Sequence, residues 1–547
     1  MSIYGLISAF TDWLWGIPIL ILLVTGGFIL TLQIQGIQFT KIGFILKNTV
    51  GTLFDKELQR QKKAAGISPV QALTAALGAT VGTGNIVGVG VAIATGGPGA
   101  LFWMWVCGFL AMAIKYSEVT MSIKYRHREA DGSYRGGPFM YMRDGLHCMP
   151  LAVAFGIMML VCLCTICLVH GSAISSNLAS LNVPNFVSCI IMVIFMAVVL
   201  FGGMKGLVAI SDWLVPLMSI MYLAATLIIV IANVGNIGTV LGAIFKGAFT
   251  GTAAVGGFAG AAFATAVRNG LARGVFSNDA GLGLSASLQA QAEAIDHPAQ
   301  QGMWAIVETF IDTIIISSMT GFAILFSGVW QSGAGGATLA ASALGSVLGE
   351  VGRIGCVICL VMFGLSSLIS DLQGVLVQSV AMFDSRLIGR GFQALIIVAV
   401  IYGSFANISK AFMFADFGNG IVLLLNVPAL ILLGKVLRSV TKEWFDNKGD
   451  LKAIEEARKN INRARREVIL ITNRRAFYIA VYDIWSVSCT QQLTFICGDG
   501  SAQLFTKQCT GRSYVYLLDP YTVCIYIVAI WCGAVYIQST VRSQAVI

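Results

Sequence analysis

The sequence predicts an all-α polytopic membrane protein of about eleven transmembrane helices, arranged as a 5+5 inverted repeat preceded by one extra helix. Three observations predict it. Of 547 residues, 57% are hydrophobic and 11% charged, whereas soluble domains carry about a quarter charged. Apolar stretches long enough to cross a ~30 Å hydrocarbon layer at 1.5 Å per residue recur up to residue 440. Two of those stretches, five spans apart, are interrupted by dense glycine.

In chain order, the first span covers about 14–34. Only Asp12 is charged ahead of it, and the run is too long for a signal-peptide core, so an uncleaved helix is expected. The linker after it holds Lys41, Lys47, Lys56, Arg60, Lys62 and Lys63, which marks it cytoplasmic. The second span, about 70–95, returns through uncharged Gly96-Gly97-Pro98-Gly99. A third, 100–125, ends at Lys124, Arg126 and Arg128. Further spans are expected near 150–172, 186–204, 212–233, 248–270, 302–328, 352–380, 390–406 and 417–437. Loops on the inner side by this alternation hold Lys205, Arg268, Arg273, Arg386, Arg390 and the tail from Lys435. The outer ones hold chiefly Lys246 and Lys410, so the N-terminus is expected outside. These boundaries define a transmembrane domain at 10–440, with the extra helix at 14–34, a first repeat at 70–233 and a second at 248–437. A charged helix (Leu451 to Arg466) and a Cys-containing extension make up 441–547, including an apolar run at 521–537 at the short limit of a span.

The second span contains Gly78-Ala79-Thr80-Val81-Gly82-Thr83-Gly84-Asn85-Ile86-Val87-Gly88-Val89-Gly90. Each glycine costs a helix about 1 kcal/mol relative to alanine, so five in thirteen residues predict an interruption. Open backbone at membrane depth survives only where it lines a cavity or is buried in protein. Gly251-Thr252-Ala253-Ala254-Val255-Gly256-Gly257-Phe258-Ala259-Gly260 repeats the pattern five spans later. Five is odd, so the second set of helices enters from the opposite face, the inverted-repeat plan of secondary transporters. Close helix packing is the bland explanation for either stretch alone; their matching positions favour a binding site. Broken half-helices offer N–H groups to a carboxylate and carbonyls to Na⁺.

Several motifs resemble the alanine or glycine:cation symporter family. They are Val81-Gly82-Thr83-Gly84-Asn85-Ile86, Gly96-Gly97-Pro98-Gly99-Ala100, Phe102-Trp103-Met104-Trp105, Arg135-Gly136-Gly137-Pro138 and Arg273 to Gly283. His297-Pro298-Ala299-Gln300-Gln301-Gly302 and Phe310-Ile311-Asp312-Thr313 continue the series. The resemblance implies Na⁺-driven uptake of alanine or glycine, sometimes the D-isomer, on a leucine-transporter-like fold. It implies sodium ligands in the carbonyls of Gly78 and Val81 and the hydroxyls of Ser366 and Ser367. It also implies a substrate held by Thr83, Gly84 and Asn85 with Gly256, Gly257 and Phe258.

The sequence departs from that family near the implied pocket. Val169-His170-Gly171-Ser172-Ala173 stands where the family commonly reads like Val-Gln-Ala-Asn-Ser. Asp371 replaces a usual aromatic; a further departure, not assigned to that pocket, is Asp279, which shortens a usual Glu. His170 and Asp371 therefore join the candidate substrate-binding residues. His170 is either a hydrogen-bonded neutral imidazole or a proton site, and Asp371, one turn beyond Ser367, binds a cation or amine or faces water. Asp312, with Glu308 one turn earlier, either senses an ion or bonds free backbone groups. Lys115 and Glu118 are expected to pair along one helix, Asp416 to cap the last core span, and Ser277–Glu293 to form a gate helix.

No enzyme constellation is present. Gly82-x-Gly84 lacks the strand, the spacing and the acid of a dinucleotide loop, and no GxSxG, HExxH or Walker motif occurs. The net charge of +9 follows topology rather than an aromatic-interleaved patch, so no nucleic-acid partner is expected, nor an obligate protein partner. Thirteen cysteines suggest no metal: Cys162, Cys164 and Cys167 lack ligand spacing and a nearby acid. The expected function is sodium-coupled symport of a small neutral amino acid (alanine, D-alanine or glycine), with no cofactor beyond the coupling sodium ion, in the plasma (bacterial inner) membrane. The alternatives are a proton-coupled symporter, or an amino-acid sensor signalling through the tail.

Overall fold

The computed structural model describes residues 3–57, 60, 66–129, 133–250, 259–333, 335–454 and 456, with three strands at 494–496, 503–509 and 512–518. The chain divides into two compact units, Met1–Gly449 and Asp450–Ile547. In the second, Thr494–Ile496, Gln503–Cys509 and Arg512–Leu518 form an antiparallel sheet whose hairpin pairs Cys509 with Arg512. Most of the expected charged helix and the whole 521–537 run lie outside the described residues.

The first unit is helical apart from a short antiparallel pair, His127–Arg128 with Tyr134–Arg135. It begins with α1 (Ile3–Leu14) and α2 (Ile17–Gln33), then α3 (Pro69–Thr80), α4 (Val89–Gly96), α5 (Gly99–Lys124), α6 (Met149–Ala179) and α7 (Asn185–Ala232). It continues through α8 (Ile237–Thr250), α9 (Ala259–Asn278), α10 (Leu284–Gln289), α11 (Pro298–Thr309) and α12 (Ser318–Ser327). Then come α13 (Leu339–Phe383), α14 (Arg386–Phe405), α15 (Ile408–Leu432) and α16 (Gly434–Asp446). Among the described residues eight helices are long and apolar enough to cross a membrane, or nine if α3 and α4 count as one broken span. The expected segments 186–204 and 212–233 fall in α7. A straight helix of its 48 residues would be ~70 Å long, more than twice the hydrocarbon thickness. Gly203, at φ +58°, breaks it where glycine tolerates a left-handed backbone. α13 breaks in the same manner at Gly349. The 248–270 segment crosses 251–258, which lie outside the described residues.

The broken helix occupies the centre. α3 starts with Ser68, whose hydroxyl accepts from the Gln71 N–H at 3.2 Å while the Gln71 side chain accepts from the Ser68 N–H at 3.1 Å, and Pro69 fills the first turn, where no N–H is needed. α7, α10 and α13 pack on α3, and α9 on α4. α6 lies against α13, α14 and α15, while α5 packs on α9 and α11. At the α4–α5 corner a Cβ on Gly99 would overlap the backbone of Gly247 and Ala248, so glycine alone allows that approach.

Three expectations are corrected by tertiary contacts. Lys115 turns away from Glu118, pairing with Glu308 at 3.3 Å and Asp279 at 3.5 Å. Glu118 instead accepts from the Gly281 N–H at 3.0 Å and the Asn426 amide at 2.6 Å, because the carboxylates of α11 and the α9–α10 loop supply stronger partners to the ammonium. Asp416 lies inside α15 rather than at its start. Asn407 caps that helix by accepting from Ser409 N–H, and Asp416 pairs with Arg273. The segment expected as a gate helix is helical only in its first two residues, which end α9, and over α10; Asp279, Gly281 and Gly283 hold positive φ between them.

Candidate functional site

α3 gives out at Val81 (φ −75°, ψ +80°), and the chain resumes as a π-helical turn, Gly84–Gly88, so that α3 and the stretch to Gly96 are bent by 47°. A π-turn interrupts the regular ladder and is frequent at functional sites. Every residue from Val81 to Gly90 is buried. Open backbone is thus enclosed in protein, where its polar groups find partners.

The first cluster surrounds the last turn of α3. Ser366 Oγ donates to the Gly78 carbonyl at 2.9 Å, and Ser367 Oγ approaches the same oxygen at 3.2 Å and the Ala79 carbonyl at 3.3 Å. A Cβ on Gly82 would overlap Ser367 Oγ, so glycine is needed for α13 to come this close. Ser211, on α7, places its hydroxyl 3.4 Å from where a Gly78 Cβ would sit, and among the described residues that buried oxygen has no hydrogen-bond partner. Val81 is buried at the break itself. Together these are hard, neutral oxygens, the donor type suited to a hard cation.

The second cluster locks the π-turn. The Asn85 carbonyl oxygen accepts from the Gly82 N–H at 2.9 Å. Its amide donates to Asp312 O at 3.0 Å, Asp312 Oδ1 at 2.8 Å and Ser317 Oγ at 3.1 Å. Asp312 and Ser317 belong to a second π-helical stretch, Phe310–Ser317. Ser277 and Thr313 donate to Asp312 Oδ2 at 2.7 and 2.8 Å. Both ends of the Asn85 amide are therefore committed to protein.

The third cluster joins Thr83 to α6 and α13. Thr83 Oγ1 lies 2.8 Å from His170 Nδ1, and His170 Nε2 lies 3.4 Å from Asp371 Oδ2. Cys167 Sγ donates to the same oxygen at 3.3 Å. Phe276 flanks His170 with ring centroids 6.2 Å apart, and Phe412 meets Phe276 edge-on at 5.1 Å. The Arg273 guanidinium stacks 4.3 Å over Phe412 while pairing with Asp416.

Of the residues singled out from sequence, the structure thus joins Gly78 with Ser366 and Ser367, and Thr83 with His170 and Asp371, around Gly84 and Asn85. Gly256, Gly257 and Phe258 lie outside the described residues. Sequence reasoning missed Ser211, Ser317 and Phe412, whose types are commonplace in apolar helices, and gave Phe276, Ser277 and Cys167 no part in this site. It left Asp312 open between sensing an ion and bonding free backbone groups; the carboxylate is bonded by the side chains of Asn85, Ser277 and Thr313.

Comparison with known proteins agrees with this architecture. The profile of the sodium:alanine symporter family matches residues 1–458. YflA, an uncharacterized transporter of Bacillus subtilis strain 168, is 36% identical over 443 residues, covering 80% of this chain and 93% of its own length. An uncharacterized transporter of Haemophilus influenzae is 34% identical over 81% of this chain and 97% of its own. The sodium/alanine symporter AgcS of Methanococcus maripaludis is 32% identical over 84% of this chain and 99% of its own. The match runs through every helix described above, and the chain accordingly belongs to the sodium:alanine symporter family, whose members are integral membrane transporters and not enzymes.

Proposed function

We propose that this transporter is a symporter that couples Na⁺ entry to uptake of a small neutral amino acid, alanine, D-alanine or glycine, by alternating access. The observation that carries the proposal is the convergence of the Ser366 and Ser367 hydroxyls on the Gly78 carbonyl near the end of α3, with the orphaned Ser211 hydroxyl beside the Gly78 Cα. With the Val81 carbonyl these oxygens would replace the hydration shell of Na⁺, and binding there draws α3, α7 and α13 together. The name of AgcS supports both the ion and the amino acid. Thr83 and the N–H groups of the break would meet the substrate carboxylate at the positive end of α4 and its π-turn, and Gly256, Gly257 and Phe258 are the further substrate contacts that the family resemblance implies. Asn85 then shapes the break. His170, Asp371 and Phe276 bound the side-chain end, so a small side chain fits best.

The same proposal takes 70–233 and 248–437 as inverted repeats within a 10–440 transporter domain, in a plasma (bacterial inner) membrane with the N-terminus outside. Uptake of labelled alanine, D-alanine and glycine into proteoliposomes under separate Na⁺ and H⁺ gradients tests it. Transport indifferent to Na⁺ for all three would remove the sodium assignment, and no transport of any would remove the substrate class.

A further inference from the structure

We propose that the cavity between the Val50–Phe54 turn, α3, α7 and α11 is a binding site for an amphiphilic ammonium compound, a hydrocarbon chain or ring carrying one protonated amine, with Asp212 as its counter-charge.

The cavity measures about 420 Å³, within the ~300–1,000 Å³ of small-molecule pockets. Nine of its twelve lining residues are apolar, among them Leu73 and Leu77 of α3 and Trp304 and Val307 of α11. The other three, Gln71, Thr74 and Asp212, are bonded together and so sit at one place on the wall. The cap of α3 dictates their arrangement. Gln71 Oε1 accepts from the Ser68 N–H at 3.1 Å, which leaves Nε2 to donate to Asp212 Oδ2 at 3.0 Å. The Thr74 hydroxyl lies 2.9 Å from Oδ1. Both partners are neutral, and among the described residues Asp212 has no ion-pair partner. A carboxylate has about four lone-pair sites, so half of them remain for a ligand.

The lining fixes the chemistry of that ligand. It holds one acid and no base, so an amino acid or a phospholipid headgroup would bring an anionic group that finds no partner. A cation completes the pair, and an aliphatic amine is protonated at neutral pH. An inorganic cation would shed its water against walls that are mostly hydrocarbon, whereas the apolar part of an amine gains about fourfold in affinity for each methylene buried. Leu53 and Pro216 on the rim are exposed, and α7 beside them exposes Trp213, Leu217 and Ile220, a lipid-facing surface on which amphiphiles collect. Asp312 and Glu118 also lack a cation, but both are fully buried among donors and outside this cavity. The cavity abuts the proposed ion cluster without sharing its ligands: Ser211 precedes Asp212 on α7, and Gly78 follows Thr74 by one turn of α3.

Titration of the purified full-length protein, in detergent at neutral pH, with para-bromophenylpropylamine tests this, because bromine quenches the fluorescence of an indole it touches. Wild type should show a saturable quench that Trp304→Phe removes. Half-saturation should need about tenfold more amine in Asp212→Asn, and about tenfold more of the isosteric para-bromophenylpropanol in wild type, the loss expected of one bond to a charged group. The alcohol should bind wild type and Asp212→Asn alike. A quench that fails to saturate, persists in Trp304→Phe or is matched by the alcohol in wild type overturns the site, and so does an Asp212→Asn variant that weakens both probes equally or neither. Should Asp212→Asn fail to fold by size exclusion, the amine–alcohol comparison and Trp304→Phe decide alone.

Discussion

Replacing Asn85 tests whether the break is held by its side chain. In Asn85→Ala the Gly82 N–H loses its acceptor at 2.9 Å, and Asp312 Oδ1 loses a donor at 2.8 Å, both buried. An orphaned buried polar group costs about 1–3 kcal/mol, so a combined loss of about 3 kcal/mol would weaken the binding-competent break roughly hundredfold. Asn85→Asp should do no better, because it sets a second carboxylate against Asp312. The reciprocal variant Asn85→Asp/Asp312→Asn reverses the pair. The amide introduced at position 312 would take the Ser277 and Thr313 hydroxyls on its carbonyl and donate its N–H to the carboxylate introduced at position 85, which would still accept from Gly82. Net charge is conserved. Sodium-driven uptake of labelled alanine by proteoliposomes, at substrate below KM and with protein quantified by size exclusion, should recover in the double variant to within about tenfold of wild type. A double variant no more active than Asn85→Asp would refute a side-chain lock between the two π-turns.

The other predictions concern the ion, the surface, the packing and the tail. Ser366→Ala and Ser367→Ala each remove one proposed ligand; the Na⁺ concentration for half-maximal uptake should rise about tenfold in each, the effect of losing about 1.4 kcal/mol, and unchanged values would place the ion elsewhere. At Asp144, in the π-helical turn Tyr141–Gly145 between α5 and α6, partial burial pushes the carboxyl up, but hydrogen bonds from Arg143 and His127 outweigh it and hold the group below the ordinary carboxylate range. A depressed folded-state pKa stabilises above the unfolded-state value, and that stabilisation fades as pH falls through the folded one. Thermal melts should therefore lose stability on acidification more steeply in wild type than in Asp144→Asn, and parallel curves would contradict this. Gly99→Ala drives a methyl into rigid backbone and should lower Tm by several degrees, as overpacking costs about 1–3 kcal/mol; Gly238→Ala, where nothing lies within 4 Å, should not. Removing 459–547, beyond the family match, should leave uptake intact, and its loss would favour a signalling or regulatory tail.

The features legible in advance are those that obey local physics. A run such as Met149–Ala179 announces itself through hydropathy, and the break at Gly82 through the cost of glycine in a helix; both depend on residues close in sequence. Helix boundaries are less legible. α15 starts nine residues before its expected position, because Asn407 caps it and Lys410 is the only charge between Ile408 and Phe414. Lys115 shows the limit more plainly: one turn from Glu118, it satisfies the spacing rule for a pair, yet its partners are Asp279 and Glu308.

Composition, glycine placement and ordered motifs suffice to make this chain a helical membrane transporter with a broken central helix, since they act through short-range preferences and shared ancestry. The packed helices alone reveal that Asn85 is spent on Asp312, 227 residues away, and that Thr83 reaches His170 and through it Asp371. The reason is geometric. In a nonpolar core each buried polar group must find a partner wherever the packing of helices puts one, and that partner has no fixed distance along the chain.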